Sequence, residues 1–190
     1  SLSLFSQEVS LSIDMGTNQA GTLYERPEFD STPAGTVTNF TLSGEINALD
    51  ISFIRTNMSE LTSLDMRGTT IAERTFPVSG FYGFSSLETV VLPNNIITIG
   101  ERAFEKCENL GSIKLPDSLY KIDKNAFANC NSLTRITFPT RNLNALENSA
   151  FENCITLDSV IIPGNIRTIR DRVFTGCNSL ATITLNNGIN

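Results

Sequence analysis

The chain contains no histidine and no tryptophan, only three tyrosines, and four cysteines among its 190 residues. Without His, neither a Ser-His-Asp triad nor a Cys-His pair can activate a nucleophile, and the commonest transition-metal ligand is missing. Carboxylate and Lys chemistry survive that test. Without Trp, the chain is poor in the aromatic platforms that commonly hold sugar rings. No stretch approaches the roughly 18 apolar residues that a membrane-spanning helix requires. A basic excess is missing too. Residues 1–86 hold four Arg against ten Asp and Glu, residues 87–190 hold ten of each sign, and the net charge is -6. Phosphate backbones are bound by basic faces, so nucleic acid is excluded as a partner.

What remains is the composition of a folded protein, 40% hydrophobic and 18% charged. The first residue is Ser, which reads as a product already trimmed of any export signal. The chain then repeats itself. "IGERAFEKCENLGSIKLP" (99–116) returns as "IDKNAFANCNSLTRITFP" (122–139), "LENSAFENCITLDSVIIP" (146–163) and "IRDRVFTGCNSLATITLN" (169–186). Leu recurs at 87, 110, 133, 157 and 180, in steps of 23, 23, 24 and 23, and Cys107, Cys130, Cys154 and Cys177 keep the same period. Phe104, Phe127, Phe151 and Phe174 do likewise. A fixed period of this length marks a solenoid, whose coils bury their apolar faces against one another.

Weaker copies lie upstream. "LTSLDM" (61–66) matches "LETVVL" (87–92), "IAERTF" (71–76) matches "IGERAF" (99–104), and "VTNFTL" (37–42) opens the same way. Seven strand signatures therefore begin at Val37, Leu61, Leu87, Leu110, Leu133, Leu157 and Leu180. Alternation within each places Ile113 and Leu115 inward and Lys114 outward. Pro93, Pro116, Pro139 and Pro163 end their strands because proline donates nothing to a ladder. The four-residue spacing from Ile122 to Ala126 to Cys130 predicts one face of a short helical turn. "INALDISFIRTNM" (46–58) predicts a longer helix on the outer side of an early coil. "SLSLFSQEVSLSID" (1–14) alternates as a half-exposed strand does, so residues 1–36 are expected to cap a single domain whose solenoid spans 37–190.

The joint recurrence of Leu, Pro, Ala-Phe and Cys resembles the BspA-like class of leucine-rich repeat proteins from host-associated anaerobic bacteria. The segment "GEINALDISFIRTNMSELTSLDM" (44–66) resembles their N-terminal flank. The resemblance implies an α/β fold: a right-handed solenoid with a parallel sheet on its concave side and short helical or irregular segments on its convex side. It also implies an extracellular or cell-surface location and adhesion to host or neighbouring-cell proteins.

The four Cys are too far apart in sequence for a zinc site, which pairs ligands two to four residues apart. Equivalent side chains in stacked coils point the same way, about 4.8 Å apart, beyond the ~3.8 Å between Cβ atoms that a disulfide prefers. They are expected to form a column of free core thiols. Cys130→Ser is expected to bury a hydroxyl with no evident partner. Asn39-Phe40-Thr41 and Asn57-Met58-Ser59 match a glycosylation triplet that arises often by chance. Glu101, Arg102, Glu105 and Lys106 read as a solvated outer face.

The candidate site is the outward row of the sheet: Asp65, Thr89, Val91, Lys114, Arg135, Thr137, Ile161 and Thr184. Such a surface offers hydrogen-bonding groups, a few charges and no catalytic constellation. The expectation is a non-catalytic protein-binding module with no cofactor and no metal. A glycan-binding accessory protein is the alternative. The last strand has no return path after it, so weak self-association through the strand at Leu180–Leu185 is expected as well.

Overall fold

A computed structural model describes residues 8–186. The strands in chain order are β1 (Ser10–Asp14), β2 (Asn39–Ile46), β3 (Ser63–Ile71), β4 (Thr75–Phe76), β5 (Thr89–Val91), β6 (Thr98–Ile99), β7 (Ser112–Lys114), β8 (Lys121–Ile122), β9 (Arg135–Ile136), β10 (Ala145–Leu146), β11 (Ser159–Pro163), β12 (Thr168–Ile169) and β13 (Thr182–Asn186). Each of the seven signatures opens a strand two residues after its first apolar residue, which is itself buried at Val37, Leu61, Leu87, Leu110, Leu133 and Leu157. Every strand pairing is parallel, the mark of a coil that returns to the same side each turn.

The pairing order on the strand face is β1-β2-β3-β5-β7, followed by a separate group β9-β11-β13. The opposite side holds a second parallel sheet, β4-β6-β8-β10-β12. That sheet corrects the helical turn expected from Ile122 through Cys130. Ile122 lies in a strand, and the residues that follow form successive turns. Asn125 and Asn129 adopt left-handed φ of 55° and 62°, as do Arg102 and Lys106 at 57° and 62°. These residues turn alternate amides away from their own coil. Arg102, Phe104 and Lys106 donate to the carbonyls of Lys124, Ala126 and Ala128 in the next coil, at 2.8–3.0 Å. A backbone that gives every second amide to the next coil, and keeps only tight turns such as Ala103 to Gly100 and Glu105 to Arg102 within its own, cannot complete a helical ladder. Ile122, Ala126 and Cys130 are all buried as expected, by a different local geometry.

The predicted outer helix is present. The ten-residue helix Ala48–Asn57 is opened by Asn47, whose side chain accepts from the Leu49 amide. Asp50 reaches back to the Asn47 amide at 2.9 Å. The same buried carboxylate accepts from the Gly21 amide at 2.6 Å and the Leu23 amide at 2.9 Å, tying the N-terminal segment to the helix. Strand β1 pairs with β2 from Ser10↔Asn39 to Asp14↔Ser43, so the second half of the alternating N-terminal stretch is a strand as read. Its first seven residues lie outside the described ones. Only glycine fits at position 44: φ is +85°, and a Cβ there would lie 2.5 Å from the Gly16 nitrogen.

One hydrophobic core runs from Ile13 to Val173. Along it Phe76, Phe104, Phe127, Phe151 and Phe174 stack at centroid distances of 4.9, 5.2, 5.2 and 5.7 Å. Interplanar angles within the stack are 19° or less. The outer face is less uniformly solvated than its charges suggest. Glu105 is buried, pairs with Arg102 at 2.6 Å, and Arg102 lies 4.7 Å over the Tyr82 ring.

Candidate functional site on the strand face

Parallel register stacks the outward side chains into rows. Thr41 aligns with Asp65, Asp65 with Val91, and Val91 with Lys114. Thr89 aligns with Ser112 in the neighbouring row, Arg135 with Ser159, and Ile161 with Thr184. Thr89, Lys114, Arg135, Thr137, Ile161 and Thr184 are exposed, whereas Asp65 and Val91 are half-buried. Ile161, 58% exposed, is a large apolar side chain presented to solvent. Asp65 is less free than the row suggests, because Arg67 pairs with it at 2.8 Å.

The cysteines belong to the interior. All four are free, and Cys107, Cys130 and Cys154 are fully buried. Each thiol donates to a Phe carbonyl in the preceding coil: Cys107 to Phe81, Cys130 to Phe104, Cys154 to Phe127 and Cys177 to Phe151, at 3.0–3.2 Å. The same carbonyls of Phe104, Phe127 and Phe151 also accept the amides of Cys107, Cys130 and Cys154 within their own coils. Each carbonyl therefore closes one coil and receives the next. This overturns the expectation that a hydroxyl at position 130 would lack a partner. Burial pushes the Cys107 thiol up to about 12 and the Cys130 thiol well above its ordinary value. Such thiols are protonated and unreactive at neutral pH. Among the described residues no group of three His, Cys, Asp or Glu could hold a metal ion.

The family described as "BspA type Leucine rich repeat region" matches residues 74–190 in six copies, more than half of the 190-residue chain. The chain belongs to the BspA-type leucine-rich repeat family. No curated protein matches it. Among solved structures, a leucine-rich repeat protein from Bacteroides ovatus is 29% identical with a TM-score of 0.54, over 58% of this chain and 28% of that one. This BspA-type chain thus spans under a third of that relative's length. The leucine-rich repeat protein of T. pallidum is 25% identical, TM-score 0.54, over 79% of this chain and 69% of its own. The pneumococcal vaccine antigen PcpA, 21% identical with a TM-score of 0.54 over 81% and 44%, shares the fold.

Sequence reasoning missed three features of these BspA-type repeats. The carbonyl partners of the thiols carry no residue signature, since every residue has a backbone oxygen. Arg67 lies just past its strand signature, beyond the rows that alternation picks out. The third is the interruption between β7 and β9, where no backbone hydrogen bond joins 111–114 to 134–137. A missing bond is invisible to a pattern of side chains.

Proposed function

We propose that the chain is a non-catalytic binding module that engages a protein of a host or neighbouring cell through its strand-lined face, working in a secreted form or at the outer cell surface. The observation that carries this reading is a division of labour. The residues that recur from coil to coil are buried through Leu157 and become partly or largely exposed only in the last coil, whereas those that vary, Lys114, Arg135, Thr137 and Ile161, face solvent. Concave faces of solenoids are where such proteins commonly engage ligands. No described helix is long and apolar enough to cross a membrane. Residues 1–36 are proposed to act as the cap of the same folding unit, consistent with the Asp50 bonds to Gly21 and Leu23.

A glycan-binding role is the second reading. Tyr24 and Tyr120, both more than half exposed, lie outside the strand rows, and among the described residues the strand face presents no exposed aromatic ring for a sugar. Screening the chain against an array of purified extracellular proteins and a parallel glycan array separates the two. Protein binding that survives deglycosylation of the target is expected. Binding confined to glycans would overturn the proposal. Self-association through β13, whose Ile183 and Leu185 are 50% and 67% exposed, is a subsidiary proposal. Light scattering should show a concentration-dependent dimer that Ile183→Lys removes.

A further inference from the structure

Six neighbouring strand pairs on the strand face are joined by backbone hydrogen bonds, and one is not. In the joined coils, the amides of Glu88, Gly111, Asp158 and Ala181 donate to the carbonyls of Thr62, Glu88, Thr134 and Asp158 at 2.8–3.2 Å. The corresponding bond from the Thr134 amide to the Gly111 carbonyl is absent, and neither group has another partner among the described residues. Gly111 is the only glycine at this ladder position, occupied elsewhere by Thr38, Thr62, Glu88, Thr134, Asp158 and Ala181. It is also the residue whose backbone is least constrained.

The seam exposes the core slightly. Ile113 and Leu115 are 8% and 7% accessible, against 2% and 1% for their counterparts Val90 and Leu92. Beyond the strand ends, a cleft of about 450 Å³ opens, with Ile113, Leu115 and Phe138 among its apolar walls and Lys114, Asp117 and Thr137 among its polar ones. Lys114 on β7 and Arg135 on β9 flank the seam, and among the described residues neither has an ion-pair partner.

We propose that this seam is the recognition site for an extended segment of a partner protein, one that places an apolar side chain next to a carboxylate. The proposal rests on the protein-binding reading above and adds where the partner sits and what chemistry it carries. Backbone donor and acceptor at one end, Thr134 and Gly111, suit an extended chain, which bonds through its own main chain. The apolar side chain enters the cleft at the other end, about four extended residues away at ~3.3 Å each. The partner's carboxylate meets Lys114 and Arg135. Asp117 repels it from the region past the Pro116 turn.

The probe is a phage-displayed library of short random peptides selected on the full chain. Enriched sequences should pair Asp or Glu with an aliphatic or aromatic neighbour. Their affinity should fall about tenfold or more in the double variant Lys114→Glu/Arg135→Glu, and stay unchanged in Lys124→Glu, in the turns after β8 on the opposite side. Bound peptide should slow hydrogen exchange at the Thr134 amide. Peptides that instead protect β2–β5 or β11–β13 would overturn the seam and leave the strand-face reading standing. Peptides that protect only the turn side would overturn both. A library yielding no acidic-apolar binder would overturn the seam proposal. So would a dimer abolished by Lys114→Glu, which would give the seam to a second copy.

Discussion

The first two strand coils and the later ones reach the same architecture by different chemistry. In the early part, β2 and β3 are eight and nine residues long, cysteine is absent, and a buried carboxylate gathers three backbone amides around a ten-residue helix. In the later part, the strand-face strands shrink to two to five residues, and stacked Phe rings and donating thiols do what long ladders do upstream. Long strands bind coils through the sheet itself. Short strands leave that work to the turn side, where identical side chains meet identical side chains. Strand-face residues in the later coils are then free to vary, and even to part, as they do between β7 and β9.

If stacking holds the later coils, Phe127→Ala should be the most damaging change. It removes a fully buried ring with neighbours at 5.2 Å on both sides, and should cost about 3–5 kcal/mol in urea unfolding. A loss below about 1 kcal/mol would show that the ring is not structural there. The early region should respond instead to Asp50→Ala, which strands three backbone amides and should cost about 3 kcal/mol. The equivalent test in the later coils has no counterpart, because among the described residues there no carboxylate gathers several backbone amides as Asp50 does.

The thiols offer a probe confined to the later half. An unfolded thiol ionises near 9.0, whereas burial holds Cys107 up to about 12. Between those values the unfolded chain has lost a proton that the folded chain keeps, so stability falls as pH rises through that window and is unaffected below it. Each such thiol contributes about 1.4 kcal/mol per pH unit to the fall. Cys107→Ala should flatten the decline measured by urea midpoints, and an unchanged slope would remove burial of this thiol as its cause. A smaller effect is expected of Cys130→Ser. The serine hydroxyl inherits the Phe104 carbonyl as acceptor, so the change should cost about 1 kcal/mol. A cost near that of Phe127→Ala would mean that the thiol's fit, and not its hydrogen bond, is what matters.

The same contrast explains what could be read in advance. The 23-residue period, the seven strands, the buried Phe and Cys columns and the outer helix were legible because each depends on side chains that repeat or alternate. Strands of two residues, such as Lys121–Ile122, are too short to show a period, and the left-handed Asn125 and Asn129 convert a helical spacing into turns. The rows from Asp65 to Thr184 were legible as outward positions. Phe138 and Asp117 were not recognised as neighbours of that surface, because they line a cleft with Lys114 where the ladder opens.

The central claim is that binding and folding are divided between the outward rows and the repeated phrase. It is tested most directly by a triple variant, Lys114→Glu/Thr137→Glu/Ile161→Glu, measured beside Glu101→Lys/Lys124→Glu on the turn side. For each, thermal unfolding and binding to the protein targets found on the array are read together. The account predicts that the strand-face variant keeps its melting temperature and loses its target, while the turn-side variant keeps both. Binding that survives the first variant, or is lost only in the second, would contradict it.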